Sequence, residues 1–144
     1  MPDICSDFKM PMQACLCRAE NCLNVSLKQT RTKDVLLILL DLLVETFKNG
    51  FEELVKGEKF SSDKEMFDSI RKKHGDLFDK HIKTYELLRK MKASKEMKVE
   101  EEYRRHVRII FDNKLTLDID KGGEYLKEAK EFAQLVLKTI VNTK

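Results

Sequence analysis

Apolar residues recur at three- and four-residue steps along most of the chain, the spacing of one face of an α-helix. Residues 12–27 predict a first helix with such a stripe, and residues 33–56 predict a second one. The first half of the second helix, residues 35–44, is apolar nearly all round, so we expect it to be buried on more than one side. Thr32 can cap this helix and Gly57 can end it, while Gly50 within it indicates a close approach to another helix.

Three further helices follow from capping signals and periodicity. Ser62 and Glu65 form a capping box, which predicts a short helix ending at His74 and Gly75. Asp76 can cap a fourth helix over residues 77–91, whose charged tail at residues 90–102 has few apolar anchors. Residues 124–141 predict a closing helix with one apolar stripe.

Near residue 107 the spacing of apolar residues changes from that of a helix to every second residue. Apolar and polar residues alternate over residues 107–111 and 115–119, and the turn-like Asp-Asn-Lys lies between them. The fold class is therefore mostly α, a helical bundle of four to five helices with one small β-hairpin near residues 107–119. We expect one domain over residues 1–144, with residues 1–11 loosely ordered.

Composition restricts the partners only weakly. The 28 basic and 25 acidic residues give a net charge of +3, which neither requires nor excludes a polyanion. The start of the chain has no basic segment followed by an apolar run, and the longest apolar stretch is too short to span a bilayer. We expect a cytoplasmic protein with no membrane association.

Four cysteines, Cys5, Cys15, Cys17 and Cys22, lie near the start of the chain. Four thiolates can hold zinc, which is the one cofactor the sequence suggests. No Cys-x-x-Cys pair is present, and Cys15 and Cys22 share the apolar stripe of the first helix. We favour buried or incidental thiols, and we expect no stable disulfide in a reducing cytoplasm.

Enzyme signatures are absent from the sequence. His74, His81 and His106 form no metal-binding motif, and Gly122-Gly123 lacks the remaining residues of a phosphate-binding loop. We assign no catalytic residues and favour a non-catalytic protein.

A basic cluster is the main alternative indication. Arg104, Arg105, His106 and Arg108 follow Tyr103, and such a group can hold phosphates and stack a base. Three glutamates at residues 100–102 precede it and can neutralise it, so we favour a solvated mixed-charge surface. The alternative is an RNA- or nucleotide-binding protein related to nucleases, whose binding would weaken steeply with salt.

The order of the helices resembles the HEPN domain family, small helical bundles found widely in archaea and bacteria and often dimeric. The resemblance covers residues 15–141 and rests on Cys-Arg-Ala-Glu-Asn-Cys-Leu at residues 17–23, Glu-Leu-Val-Lys-Gly-Glu-Lys at 53–59 and Glu-Tyr-Leu-Lys-Glu-Ala-Lys-Glu-Phe at 124–132. It implies a homodimer and, as a second partner, a nucleotidyltransferase-like protein.

Two features depart from that family. Its ribonuclease toxins carry an Arg followed by His after four to six residues, and this sequence has no such pair. The hairpin near residues 107–119 also stands where the family has a plain loop. The family's catalytic residues are therefore not carried over, and the resemblance implies a non-catalytic, HEPN-like interaction module.

Overall fold

The computed structural model describes residues 10–27, 32–102, 106–112 and 114–142. Within these ranges the order of elements is α1 (Pro11–Asn21), which continues into a π-helical segment (Cys22–Ser26), α2 (Lys33–Leu54), α3 (Asp63–His74), α4 (Asp79–Ala93), β1 (Met97–Glu102), β2 (His106–Phe111), β3 (Thr116–Asp118) and α5 (Ile119–Asn142). The predicted fold class, mostly α with a small β element near residues 107–119, is confirmed. The expected loose order of residues 1–11 falls almost entirely outside the described residues.

The central helix is α2, which packs against α1, α4 and α5. Its N-terminus is capped as predicted, because the side chain of Thr32 accepts a hydrogen bond from the backbone N–H of Val35 at 3.4 Å. Phe47 and Phe51 lie on its buried face, with ring centroids 4.9 and 4.8 Å from that of Phe132 on α5. These rings form the middle of one continuous apolar core.

Gly50 is the point of closest approach between α2 and its neighbours. A Cβ atom at this position would lie 2.7 Å from Cζ of Phe132 and 2.9 Å from Sδ of Met12. Both distances are shorter than a carbon normally allows, so a side chain at this position would force the Phe132 ring and the Met12 sulfur to shift. The close helix approach inferred from the sequence is confirmed.

The capping box at the start of α3 is also confirmed. The hydroxyl of Ser62 accepts from the N–H of Glu65 at 3.3 Å, and the Glu65 carboxylate accepts from the N–H of Ser61 at 3.0 Å. The prediction that Asp76 caps the fourth helix is wrong: α4 begins at Asp79, after a turn that places Phe78 at the cap position. Burial of the Phe78 ring in the core fixes this later start.

The largest difference from the sequence prediction is the third strand. The expected helical tail at residues 90–102 is wrong beyond Ala93, because residues 97–102 form β1 and pair antiparallel with β2. The sheet order is β1-β2-β3, so the predicted hairpin supplies two of the three strands, β2 and β3. Pairing of Val99 with Ile109 outweighs the helical preference of the glutamates that follow.

The sheet covers one end of the bundle. Its buried side chains, Val107, Ile109, Phe111 and Leu117, belong to the same core as the helices, and β2 contacts both α2 and α5. The closing helix begins at Ile119, earlier than predicted, and so includes Gly122. A Cβ there would lie 2.7 Å from Cδ2 of Leu39, so this glycine lets α5 pass close to α2.

Within the described part of the chain, none of the helices combines the length and the apolar character needed to cross a bilayer.

Candidate interaction surfaces

Two of the cysteines are protonated thiols within the helical packing. Sγ of Cys15 accepts a hydrogen bond from Nδ2 of Asn49 at 3.5 Å, and Sγ of Cys22 donates to the carbonyl of Val35 at 3.6 Å. Burial raises the pKa of both thiols, and for Cys15 it outweighs the opposing hydrogen bond from Asn49. Such thiols are poor nucleophiles and behave as small apolar residues, as the sequence predicted.

The three cysteines that the structure describes do not form a metal site. Cys15 and Cys22 are seven residues apart along a helix, roughly 10 Å at 1.5 Å per residue, whereas zinc–sulfur bonds are about 2.3 Å long. Cys17 is disulfide-bonded, contrary to the expectation of free thiols, and its sulfur is not a thiolate. Cys5 lies outside the described residues, and among those described no three His, Cys, Asp or Glu side chains are grouped to hold a metal ion.

Arg108 is the one member of the basic cluster whose side chain is described. It lies on β2 between Glu100 of β1 and Asp118 of β3 in the strand register, and its Nε is 3.8 Å from a carboxylate oxygen of Asp118. Two flanking carboxylates reduce its attraction for a phosphate, which favours the mixed-charge interpretation. Arg104 and Arg105 lie outside the described residues, and of His106 only the backbone, at the start of β2, is described. Nucleic-acid binding by this cluster therefore stays a prediction.

A buried histidine–glutamate pair joins α4 to α5. Nδ1 of His81 and Oε2 of Glu128 are 3.5 Å apart, and the two side chains are only 8% and 17% exposed. The His81 ring packs against Phe132 and Phe47, with centroid distances of 5.2 and 6.4 Å. Sequence reasoning placed His81 at the edge of an apolar stripe and missed Glu128. The available signal was its spacing, three residues after Tyr125 and four before Phe132, which places Glu128 on the buried side of α5.

A cleft beside the end of α2 is acidic. It has a volume of about 540 Å³ and lies between the end of α2 and the start of α3, with four carboxylates in its wall. Three of these are neutralised locally, since Glu53 pairs with Lys56, Glu58 with Lys73 and Asp63 with Arg89. Most of the negative charge of the cleft is therefore neutralised by ion pairs within the chain and is not available to a ligand.

A smaller cleft, of about 340 Å³, is lined by Tyr85 and by the charged residues Glu45, Lys48, Asp63, Arg89 and Lys92. The guanidinium of Arg89 is 5.7 Å from that ring, and Lys92 lies 3.5 Å from a carboxylate oxygen of Asp41. Burial raises the pKa of Tyr85 to about 12, with smaller contributions from Glu45 and Glu52, so the phenol stays neutral and cannot act as a base. Arg89 and Lys92 therefore make contacts within the chain that stabilise this surface.

An apolar strip remains uncovered on α2. We define it as Val35, Ile38 and Leu42, which lie one turn apart and line a shallow groove of about 250 Å³ together with Arg18, Asn21, Cys22 and Ser26. Ile38 is 53% exposed, while Val35 and Leu42 are half-buried. Val25, on the adjoining π-helical segment, is 51% exposed. Large aliphatic side chains exposed beside a groove are typical of surfaces that another molecule covers.

No family model, no curated protein and no solved structure matches this chain.

Proposed function

We propose that this protein is a non-catalytic helical interaction module that forms a homodimer through the apolar strip of α2. The observation that carries the proposal is the 53% exposure of Ile38, a large aliphatic residue in a segment whose neighbouring leucines, Leu36, Leu39 and Leu40, are buried. Residues 35–44 are nearly all apolar, and five of the ten are buried in a helix that packs against α1, α4 and α5 of the same chain. The helices that the structure describes leave the apolar strip uncovered.

The charges beside the strip favour a second copy of the chain as the partner. Arg18 of α1 lies along one side of the groove, whereas Asp34, Asp41 and Glu45 follow the other side at helical spacing. In an isologous dimer the same patch meets itself about a twofold axis, so the basic side of one copy can approach the acidic side of the other. The apolar residues then meet in the middle, where charged residues are usually depleted.

The cysteine beneath the groove also fits a packing role. Cys22 is buried, and its thiol is bonded to the backbone of Val35 within the strip. Because its pKa is raised by burial, it adds apolar area and no reactive group to this surface. This supports a function based on association and not on chemistry at the groove.

The experiment is a measurement of solution mass over a wide range of protein concentration. We expect a dimer for the native chain and a monomer for Ile38→Asp, since a buried unpaired carboxylate is strongly unfavourable. Leu77→Asp is the matched control, because Leu77 is 49% exposed and lies in the turn before α4, outside the strip. Circular dichroism establishes that both variants remain helical.

Two results would contradict the proposal. One is a native chain that stays monomeric at the highest concentration. The other is a dimer that Ile38→Asp leaves intact or that Leu77→Asp disrupts equally, since either would place the interface elsewhere.

A further inference from the structure

The outer edge of β1 presents unpaired backbone groups. The N–H of Asp112 donates to the carbonyl of Glu96 at 3.1 Å, which fixes the phase of hydrogen bonding between β1 and β2. Hydrogen-bonded positions alternate along an antiparallel pair. The backbone groups of Lys98 and Glu100 therefore point toward β2, and those of Met97, Val99 and Glu101 point away from it.

These outward groups have no partner among the described residues. Among the described elements, β1 pairs only with β2, and no backbone hydrogen bond joins Met97, Val99 or Glu101 to another described element. Met97 is 39% exposed and Val99 is half-buried. A strand edge in this condition can accept a further strand from another molecule.

The charges of β1 determine which kind of strand fits. Its six residues contain Lys98 and the glutamates 100–102, a formal charge of −2 (one positive against three negative). Two copies of β1 placed side by side would each bring this net negative charge, and like net charges repel one another. A basic strand of another molecule avoids this repulsion.

We propose that the outer edge of β1 binds an extended, basic segment of a partner protein as a fourth, antiparallel strand. The segment carries Lys or Arg at the positions opposite Glu100 and Glu102, and apolar residues at those opposite Met97 and Val99. The latter two share a register face with the buried Phe111 and Ile109, so apolar partner residues extend the covered side of the sheet. This surface is separate from the apolar strip and does not depend on the dimer.

The first test uses a blocked hexapeptide, Lys-Thr-Lys-Val-Glu-Val, titrated into the full-length protein and followed by NMR of the backbone amides. We expect the amides of Met97, Val99 and Glu101 to shift and to gain protection from exchange. The charge-swapped peptide, Glu-Thr-Glu-Val-Lys-Val, is expected to bind about tenfold more weakly, since several cross-strand pairs change sign. Equal binding of both peptides, or shifts confined to other elements, would overturn the proposal.

The second test changes the protein. Val99→Pro removes an outward-facing donor and leaves the hydrogen bonds to β2 in place, so peptide binding should be lost while the amides of β2 and β3 are retained. The double variant Glu100→Lys with Glu102→Lys reverses the net charge of β1. It provides a second test if the proline variant does not fold. The control is Glu86→Lys with Glu124→Lys, an equal charge change at exposed helical positions.

We expect the edge double variant to prefer the charge-swapped peptide and the control to behave as the native chain. Retention of the native preference in the edge variant would overturn the proposal. Protection of the β1 amides by self-association without peptide would also overturn it, because the edge would then belong to a second copy.

Discussion

The Nδ1 atom of His81 and the Oε2 atom of Glu128 lie 3.5 Å apart inside the bundle, where α4 meets α5. Burial opposes ionisation of Glu128, but its interactions with the neighbouring His81, Thr84 and Lys80 side chains outweigh that effect. The pKa of Glu128 is consequently below its usual value. A carboxyl with a lowered folded-state pKa stabilises the fold above the unfolded-state pKa, and that contribution is lost as pH falls through the folded-state pKa.

Replacement Glu128→Gln should therefore flatten the acid side of the stability profile. The native chain loses stability from Glu128 as the pH falls, whereas the variant has no such group to protonate. Urea unfolding at a series of pH values down to about 3 measures the difference. Glu124→Gln, at an exposed position one turn earlier on α5, is the control and should leave the acid slope nearly native. If the Glu128 and Glu124 variants gave the same slope, the pair would have no role in acid stability.

Gly50→Ala should destabilise the protein, although alanine normally favours a helix. The new methyl group would meet the Phe132 ring and the Met12 sulfur at less than normal contact distance. Overpacking of a core costs about 1–3 kcal/mol, which exceeds the roughly 0.5–1 kcal/mol gained from helix propensity. The free energy of unfolding from urea denaturation measures the net effect.

Gly123→Ala provides the matched comparison for that substitution. Gly123 also lies within a helix, but a Cβ there would sit at an ordinary 3.8 Å from Cδ2 of Leu23. Without a clash the propensity gain remains, and the variant should be more stable by about 0.5–1 kcal/mol. If both alanine variants changed the free energy of unfolding in the same direction, the close-packing explanation for Gly50 would be refuted.

Periodicity and capping residues predict the helices well because both act locally. The cap at Thr32, the box at Ser62 and the glycine at Gly50 each depend on neighbours in the chain or on the absence of a side chain. Strand β1 could not be predicted in this way, since a glutamate-rich segment becomes a strand only through pairing with β2. Tertiary pairing of this kind overrides local propensity.

The candidate surfaces were harder to predict from the sequence than the fold was. An apolar run such as residues 35–44 indicates burial, but only packing of the other helices decides that Ile38 remains exposed while Leu36 and Leu40 do not. His81 and Glu128 likewise lie on different helices, and 47 positions separate them in the sequence (128 minus 81). No local pattern determines which polar residue of one helix meets that of another.

Ser62→Ala should weaken the start of α3. The Ser62 hydroxyl satisfies the N–H of Glu65, and loss of an N-terminal cap costs about 1 kcal/mol. Ser62→Asp keeps an acceptor at the cap and should restore most of the stability, as measured by thermal or urea unfolding. An alanine variant as stable as the native chain would show that the cap is not needed.

Asp112→Ala should loosen the connection between α4 and β1. The Asp112 carboxylate accepts hydrogen bonds from the Ser94 hydroxyl at 2.5 Å and from the backbone N–H groups of Lys95 and Glu96 at 3.1 and 3.4 Å. Alanine leaves these donors to water, since the site is exposed, so we expect a loss of about 1–2 kcal/mol. Faster exchange of the β1 amides should accompany it, because the same turn sets the position of β1 beside β2.

The control for this substitution is Asp76→Ala, in the exposed turn before α4. Removal of that carboxylate should change the free energy of unfolding by less than about 0.5 kcal/mol, as is usual at the surface. Since Asp112 holds the segment that leads into β1, its alanine variant should also bind the basic hexapeptide more weakly than the Asp76 variant does. Unchanged exchange at Met97 and Val99 in Asp112→Ala would show that β1 is positioned by its pairing with β2 alone.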